Sequence, residues 1–322
     1  MKRWIPVLAV LLLLVRPVWA ARVLVLPADL EAGPTGAEWI GTGLAFALDE
    51  AMARAGVPHV PLEHVRSLYE QEGLVASPRF STPSRVALAR QFGADVLVTG
   101  SFHVEGERLT VRMEALEVQG DLRRLGRWEV LKPLHELLGL TETLGRGLFD
   151  VLGREWPALP DVGPQAFESY VRGRIAEDLT LQEVYLRKAL ELAPGYLEAQ
   201  CYLAIVLKET GRISEASQSL ERLSHASFSR SYLALASLAE IRLEEGRLKE
   251  AWSLFMRSLK AGESPEAHLG LARLYLRQKK NAEALRELKV AESFGTHQEE
   301  IESLRNRTQA APAVREPPPP SP

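Results

Sequence analysis

LAIVLKETGRISEASQSLERLS at Leu203–Ser224, LAEIRLEEGRLKEAWSLFMRSLKAG at Leu238–Gly262 and LARLYLRQKKNAEALRELKVAES at Leu271–Ser293 are three versions of one pattern. Each opens on a Leu-Ala pair (Leu203-Ala204, Leu238-Ala239, Leu271-Ala272) and passes a turn at Gly211, Gly246 or Lys279. An alanine follows (Ala216, Ala251, Ala284), then a large apolar residue (Leu220, Phe255, Leu288). The equivalent alanines recur at close to ~34 residues, the length of a helix–turn–helix repeat. Small residues let the two helices of a hairpin approach, and large ones fill the groove of the next hairpin. Glycine takes the left-handed conformation of the turn without steric cost. No hairpin can bury its apolar face alone, so several must stack. Upstream, AFESYVRGR at Ala166–Arg174 and LRKALELAPGY at Leu186–Tyr196 supply a shortened fourth copy, with Ala189 and Pro194 at matching positions.

From about Pro164 to Phe294 the chain resembles the tetratricopeptide family, whose fold is an all-α superhelix. It departs from that pattern at Lys279, which replaces the turn glycine, and in the first copy, which lacks a normal turn. The resemblance implies a protein-binding concave groove lined by the first helix of each hairpin. Its register puts Phe167, Tyr170 and Arg174 in the groove, then Cys201, Ile205 and Lys208. Leu233, Ala236, Glu240 and Leu243 follow, and then Leu269, Arg273 and Leu276. Aromatic anchors beside an arginine are the composition of an interaction hot spot. The competing reading makes Phe167 and Tyr170 a seal against the preceding domain. Thr296 to Arg307 reads as a polar-faced capping helix, so the helical repeats span 163–308.

Residues 21–157 read differently. Arg22–Leu26 (RVLVL) is a strand stopped by Pro27, and a Gly- and Pro-bearing loop follows. Thr35–Ala55 is a helix with Ile40, Leu44, Ala47, Leu48 and Ala51 on one face, ended by Gly56. Val57–Leu62 predicts a short strand, Glu63–Glu72 a short helix, and Thr82–Phe92 another helix ending at Gly93. Ala94–His103 and Leu109–Val118 flank Glu105-Gly106-Glu107 and read as a hairpin; Leu109, Val111 and Met113 point one way, Thr110, Arg112 and Glu114 the other. A weaker strand near Arg127–Leu131 and a helix over Leu134–Leu152 complete a small α/β or α+β domain with a mixed sheet. Trp156-Pro157-Ala158-Leu159-Pro160 and Pro164 then hold the chain extended and mark its end.

RVLVLPADL, WIGTGLAFALDEAM and ALARQFGADVLVTGSFHVEGERLTVRMEALEV, followed by AFESYVRGR, are similar to bacterial proteins that join a TolB amino-terminal-like domain to tetratricopeptide repeats. Arg22–Pro27, Gly43-Leu44 and Gly93–Ser101 carry that match, while Gly120–Trp128 departs from it. Relatives of the module include flagellar and curli-associated envelope proteins. Many carry a DNA-binding or cyclase domain ahead of it, and those activities do not transfer to this chain.

At the N-terminus, Lys2-Arg3, the apolar run Trp4–Val15 and Val18-Trp19-Ala20 form the three parts of a secretory signal peptide cut after Ala20. A retained anchor is the alternative, but the run is short against the ~20 residues a membrane-spanning helix needs. No cysteine lies near the cut, so lipid modification is excluded, and the mature chain is expected in the periplasm or outside the cell. Cys201 is the only cysteine, so no internal disulfide forms. Residues 309–322, with Pro317–Pro320, lack the apolar bulk to fold and read as a disordered proline-rich tail. The balance of 39 basic and 42 acidic residues, net charge −3, gives no electrostatic case for nucleic acid.

Residue patterns that carry chemistry are few. His59 and His64 are the one close histidine couple, but Pro61 between them makes a shared zinc site accidental. Gly36, Gly41 and Gly43 lack the spacing of a phosphate-binding loop and suit close helix packing. Ser101 lies within a strand, away from any nucleophile elbow. The sequence therefore predicts a non-enzymatic scaffold of the bacterial cell envelope, without cofactor or metal, whose partners are other proteins or peptides. Peripheral association with the outer membrane or an envelope complex fits the same reading. The alternative is a periplasmic small-molecule sensor whose N-terminal domain binds a ligand and whose repeats relay it.

Overall fold

The computed structural model describes residues 21–65, 80–262, 264–294 and 296–310. The segment read as a leader, most of the helix read at Glu63–Glu72 and the last twelve residues of the segment read as a tail lie outside the described residues.

The N-terminal domain is a mixed sheet of five strands: β1 (Val23–Val25), β2 (Asp29–Ala32), β3 (Val96–Glu105), β4 (Arg108–Glu117) and β5 (Arg123–Pro133). β1 and then β2 run parallel along one side of β3, and β4 and β5 continue antiparallel on the other. The alternation read in Leu109–Glu114 holds except at Thr110: Leu109, Val111 and Met113 are buried and Arg112 and Glu114 are not, but Thr110 is buried as well. Helices α1 (Trp39–Ala55) and α3 (Leu137–Val151) cover one face of the sheet, where Leu44, Leu48 and Leu144 meet Val98 and Val111. Helix α2 (Thr82–Gln91), capped by the Ser81 hydroxyl, lies across the opposite face, where Arg85 meets Thr99.

Two details differ from the sequence reading. The loop after Pro27 contains β2, a short strand of polar composition that the sequence pattern does not mark. Val57–Leu62 is no strand; it makes one isolated bridge, Val23 to His59, because Pro58 and Pro61 have no amide hydrogen to extend a ladder.

The chain crosses the extended prolines, with Trp156 edge-on to Phe149 at 5.1 Å, and enters the helices. These are α4 (Pro164–Ile175), α5 (Leu179–Leu192), α6 (Leu197–Glu209), α7 (Ile213–Leu223), α8 (Ser231–Glu244), α9 (Leu248–Ala261), α10 (Pro265–Arg277), α11 (Asn281–Glu292) and α12 (Gln298–Ala310). They stack as hairpins in the register the sequence sets. Ala216, Ala251, Ala284, Leu220, Phe255 and Leu288 are all fully buried, each large side chain contributing about 1.5–3 kcal/mol of burial. Gly211 and Gly246 take positive φ values of 80° and 77° at their turns, and Lys279 takes the same conformation at 59° despite its side chain. Among the described residues, no helix is long and apolar enough to cross a membrane.

Candidate partner groove and domain seam

The first helices of the hairpins present two different surfaces along their length. One surface, along α4 and at the starts of α6 and α8, meets the α/β domain, and the other carries a partly exposed row of charges across α6, α8, α10 and α12.

The seam begins with α1, which buries nearly every residue from Trp39 to Met52, including Asp49 and Glu50. Gly43 lets it approach α4, with the Phe167 ring beside it, as expected of a packing glycine. Arg230, at the start of α8, pairs with Asp49, and each side chain is 2% exposed. Arg54 reaches Glu50 at 3.0 Å and Glu198 of α6 at 2.7 Å. The Ser229 hydroxyl donates to Glu198 at 2.8 Å. Past α1, Glu63 accepts hydrogen bonds from the Tyr202 hydroxyl at 2.6 Å and from Arg174 at 3.2 Å. Arg230 stands 3.8 Å from its second oxygen. His64 meets Phe294 edge-on at 5.6 Å, so the domain reaches from the first hairpin to the loop after α11.

The environment separates these acids. Burial and the nearby Glu198 push the Glu50 carboxyl up to about 8, against the pull of Arg54 and Arg230. Burial also works to raise Glu63, but Arg230, Arg174 and the Tyr202 hydroxyl outweigh it and hold that carboxyl well below the carboxylate range. Burial lowers the His64 ring below its ordinary value, against the acids Glu266, Glu63 and Asp49. His59 leans on Asp49 at 3.5 Å, so the two histidines serve the seam separately. Among the described residues, no group of three or more His, Cys, Asp or Glu side chains could hold a metal ion.

The residues that the register assigns to the groove divide accordingly. Phe167 and Tyr170 are buried: Tyr170 packs on Phe46 of α1 and on Tyr196, with centroids 6.3 and 4.8 Å apart. Arg174 lies over the Tyr202 ring at 3.3 Å with its guanidinium on Glu63. Cys201 is fully buried beside them. Phe167, Tyr170 and Arg174 are part of a seal, because the N-terminal domain occupies the end of the groove they would line, while the Cys201 sulfur lies 3.9 Å from the Arg230 carbonyl. Ala236, Leu243 and Leu269 are also buried, inside the helical core. Ile205, Lys208, Leu233, Glu240, Arg273 and Leu276 remain half-buried. Lys208 pairs with Glu240, Glu240 with Arg273 at 3.1 Å, and Arg273 with Glu300, a ladder across α6, α8, α10 and α12. The sequence reading missed Asp49, Glu50, Arg54, Glu63, Glu198 and Arg230. Its one available signal was Asp49-Glu50 set inside an otherwise apolar helix.

A second concavity lies on the sheet face opposite α1 and α3. It is a polar cleft of about 470 Å³, walled by Asp29 and Glu31 of β2, Arg85 of α2, and residues of β3, β4 and β5.

Against known proteins, the tetratricopeptide repeat family matches residues 242–307. No curated protein matches the chain. Among solved structures, a tetratricopeptide repeat protein from Parabacteroides merdae is similar at 19% identity and a TM-score of 0.38, over 45% of this chain. The chain spans 57% of that protein's length. The LpoB C-terminal domain from Salmonella enterica is similar at 18% identity and a TM-score of 0.29, over 35% of this chain and 83% of that one. The corresponding domain from Escherichia coli gives 19% and 0.29, over 35% and 82%.

Proposed function

We propose that this protein is a non-enzymatic interaction protein of the bacterial cell envelope, exported to the periplasm or beyond. It binds partner proteins or peptides along the part of the concave groove that its own N-terminal domain leaves open. The observation that carries the proposal is the ladder Lys208–Glu240–Arg273–Glu300, with Ile205 and Leu276 half-buried on the same helices. Partly exposed ion pairs contribute little to stability, so a partner segment can exchange them for pairs of its own. The export leader and the order of motifs shared with TolB amino-terminal-like proteins support the envelope assignment. In an affinity capture from an envelope fraction, Lys208→Gln with Arg273→Gln should weaken capture of the partner while the melting temperature stays within a few degrees. Full retention of the partner by that variant would overturn the groove assignment.

The polar cleft favours a second reading, in which the N-terminal domain takes a small molecule and the repeats respond. The cleft wall at Asp29 follows Ala28, which packs on α1 at Gly41. The same helix carries Asp49, Glu50 and Arg54 to the seam.

A further inference from the structure

The cleft draws four guanidinium groups from three elements: Arg85 from α2, Arg112 from β4, and Arg124 and Arg127 from β5. Strand alternation puts residues three apart on opposite faces. In β5 the ladder pairs Ala115 with Gly126 and Leu116 with Arg124, so Leu125 is an extra residue that resets the alternation. That bulge brings Arg124 and Arg127 to one cleft. Bulges are known for re-aiming side chains beside functional sites.

The bulge also unbalances the charges. Arg127 stands directly across the ladder from Glu114, where an ion pair would ordinarily form. Glu114 instead accepts from Arg124 at 3.1 Å. Arg85 is held by Asp29 and Thr99, and Arg112 by Glu31 and Glu129 at 3.1 and 3.2 Å. The Arg127 side chain is exposed and makes no hydrogen bond or ion pair among the described residues. It offers a planar, five-donor fork suited to an oxyanion. The walls add the Ser101 hydroxyl and carboxylate acceptors, and among the described residues no aromatic ring lines the cleft to stack a base. The volume suits a small polar ligand.

We infer that this cleft binds a small hydroxyl-rich anion, a sugar phosphate or a sugar acid, with its oxyanion on Arg127 and its hydroxyls on the carboxylates around it. The inference rests on the ligand-binding reading above and leaves the partner groove untouched.

The test is calorimetric titration of the full chain with glucose 6-phosphate, glucuronate and neutral glucose. At least one anion should bind, with glucose weaker by roughly tenfold or more, the scale of one charge-assisted contact. Arg127→Ala should weaken the anion by a similar factor without lowering the melting temperature. The stronger of the two anions identifies the oxyanion as phosphate or carboxylate. Glucose binding as tightly as both anions would overturn the ligand class while leaving a ligand-binding domain in place. Failure of all three at millimolar concentration would overturn both, and unchanged affinity in Arg127→Ala would remove the arginine from the site.

Discussion

Asp49 and Arg230 lie 181 positions apart in the chain and form an ion pair that water scarcely reaches, one from each half of the molecule. A buried pair is costly to break from one side, because the remaining charge is left without a partner. Asp49→Ala should therefore destabilise the protein by about 3–5 kcal/mol in chemical denaturation. Replacing Asp49 and Arg230 together by apolar residues should recover part of that loss. A single variant within about 1 kcal/mol of the parent would mean that the seam is wetter than the structure shows.

The seam should also set the pH dependence of stability. Glu50 has a folded value of about 8 against 4.5 for the free group, so its contribution is fully present below pH 4.5 and is lost as pH rises towards 8. Glu63 shifts the other way: its contribution is present above pH 4.5 and is lost as pH falls below it. Thermal melts across pH 3–9 should show both limbs. Glu50→Gln should flatten the descent between pH 4.5 and 8, and an unchanged descent would assign it to another group.

Tyr170→Ala with Arg174→Ala should unfold or strongly destabilise the protein rather than spare it. Tyr170 is 2% exposed among Phe46, Tyr196 and Tyr202, and removing a buried aromatic side chain alone costs about 3–5 kcal/mol. A melting temperature within a few degrees of the parent would return both residues to the groove.

Ala251 is fully buried where α8 and α9 meet. Ala251→Leu should overpack that contact and cost about 1–3 kcal/mol. A melting temperature within ~1 °C of the parent, less than the shift a 1 kcal/mol change produces, would mean that the repeat register is misplaced.

Export should remove the leader. Mass spectrometry of the protein from its native host is expected to find an N-terminus at Ala21. A chain beginning at Met1 in the cytoplasm would overturn the envelope assignment and the class of partner with it.

The repeats were legible because their constraint is local and recurs. Ala216, Ala251 and Ala284 announce the same close approach three times, and even Lys279 occupies the left-handed position its place in the repeat demands. The sheet was legible where strands alternate, as in Leu109–Glu114, and illegible at β2, whose Asp-Leu-Glu-Ala composition carries no apolar period. The seam left almost no trace. Helix register marks Phe167 and Tyr170 as outward-facing, and only the tertiary arrangement reveals that another domain lies there. The pairing of Asp49 with Arg230 is invisible to any periodicity. The same holds for Arg127, which is left without a side-chain partner among the described residues because of one extra residue in β5.

Cys201 adds a consequence of a different kind. It is the sole thiol of the chain, fully buried against the seam, with its sulfur 3.9 Å from the Arg230 carbonyl, and burial pushes it up to about 12. A thiol in that state is inert to alkylating reagents until the structure around it opens. Its labelling rate at fixed pH is therefore a built-in clock for how often the packing between α6 and the start of α8 opens, running at the rhythm of the native molecule without any probe having been added.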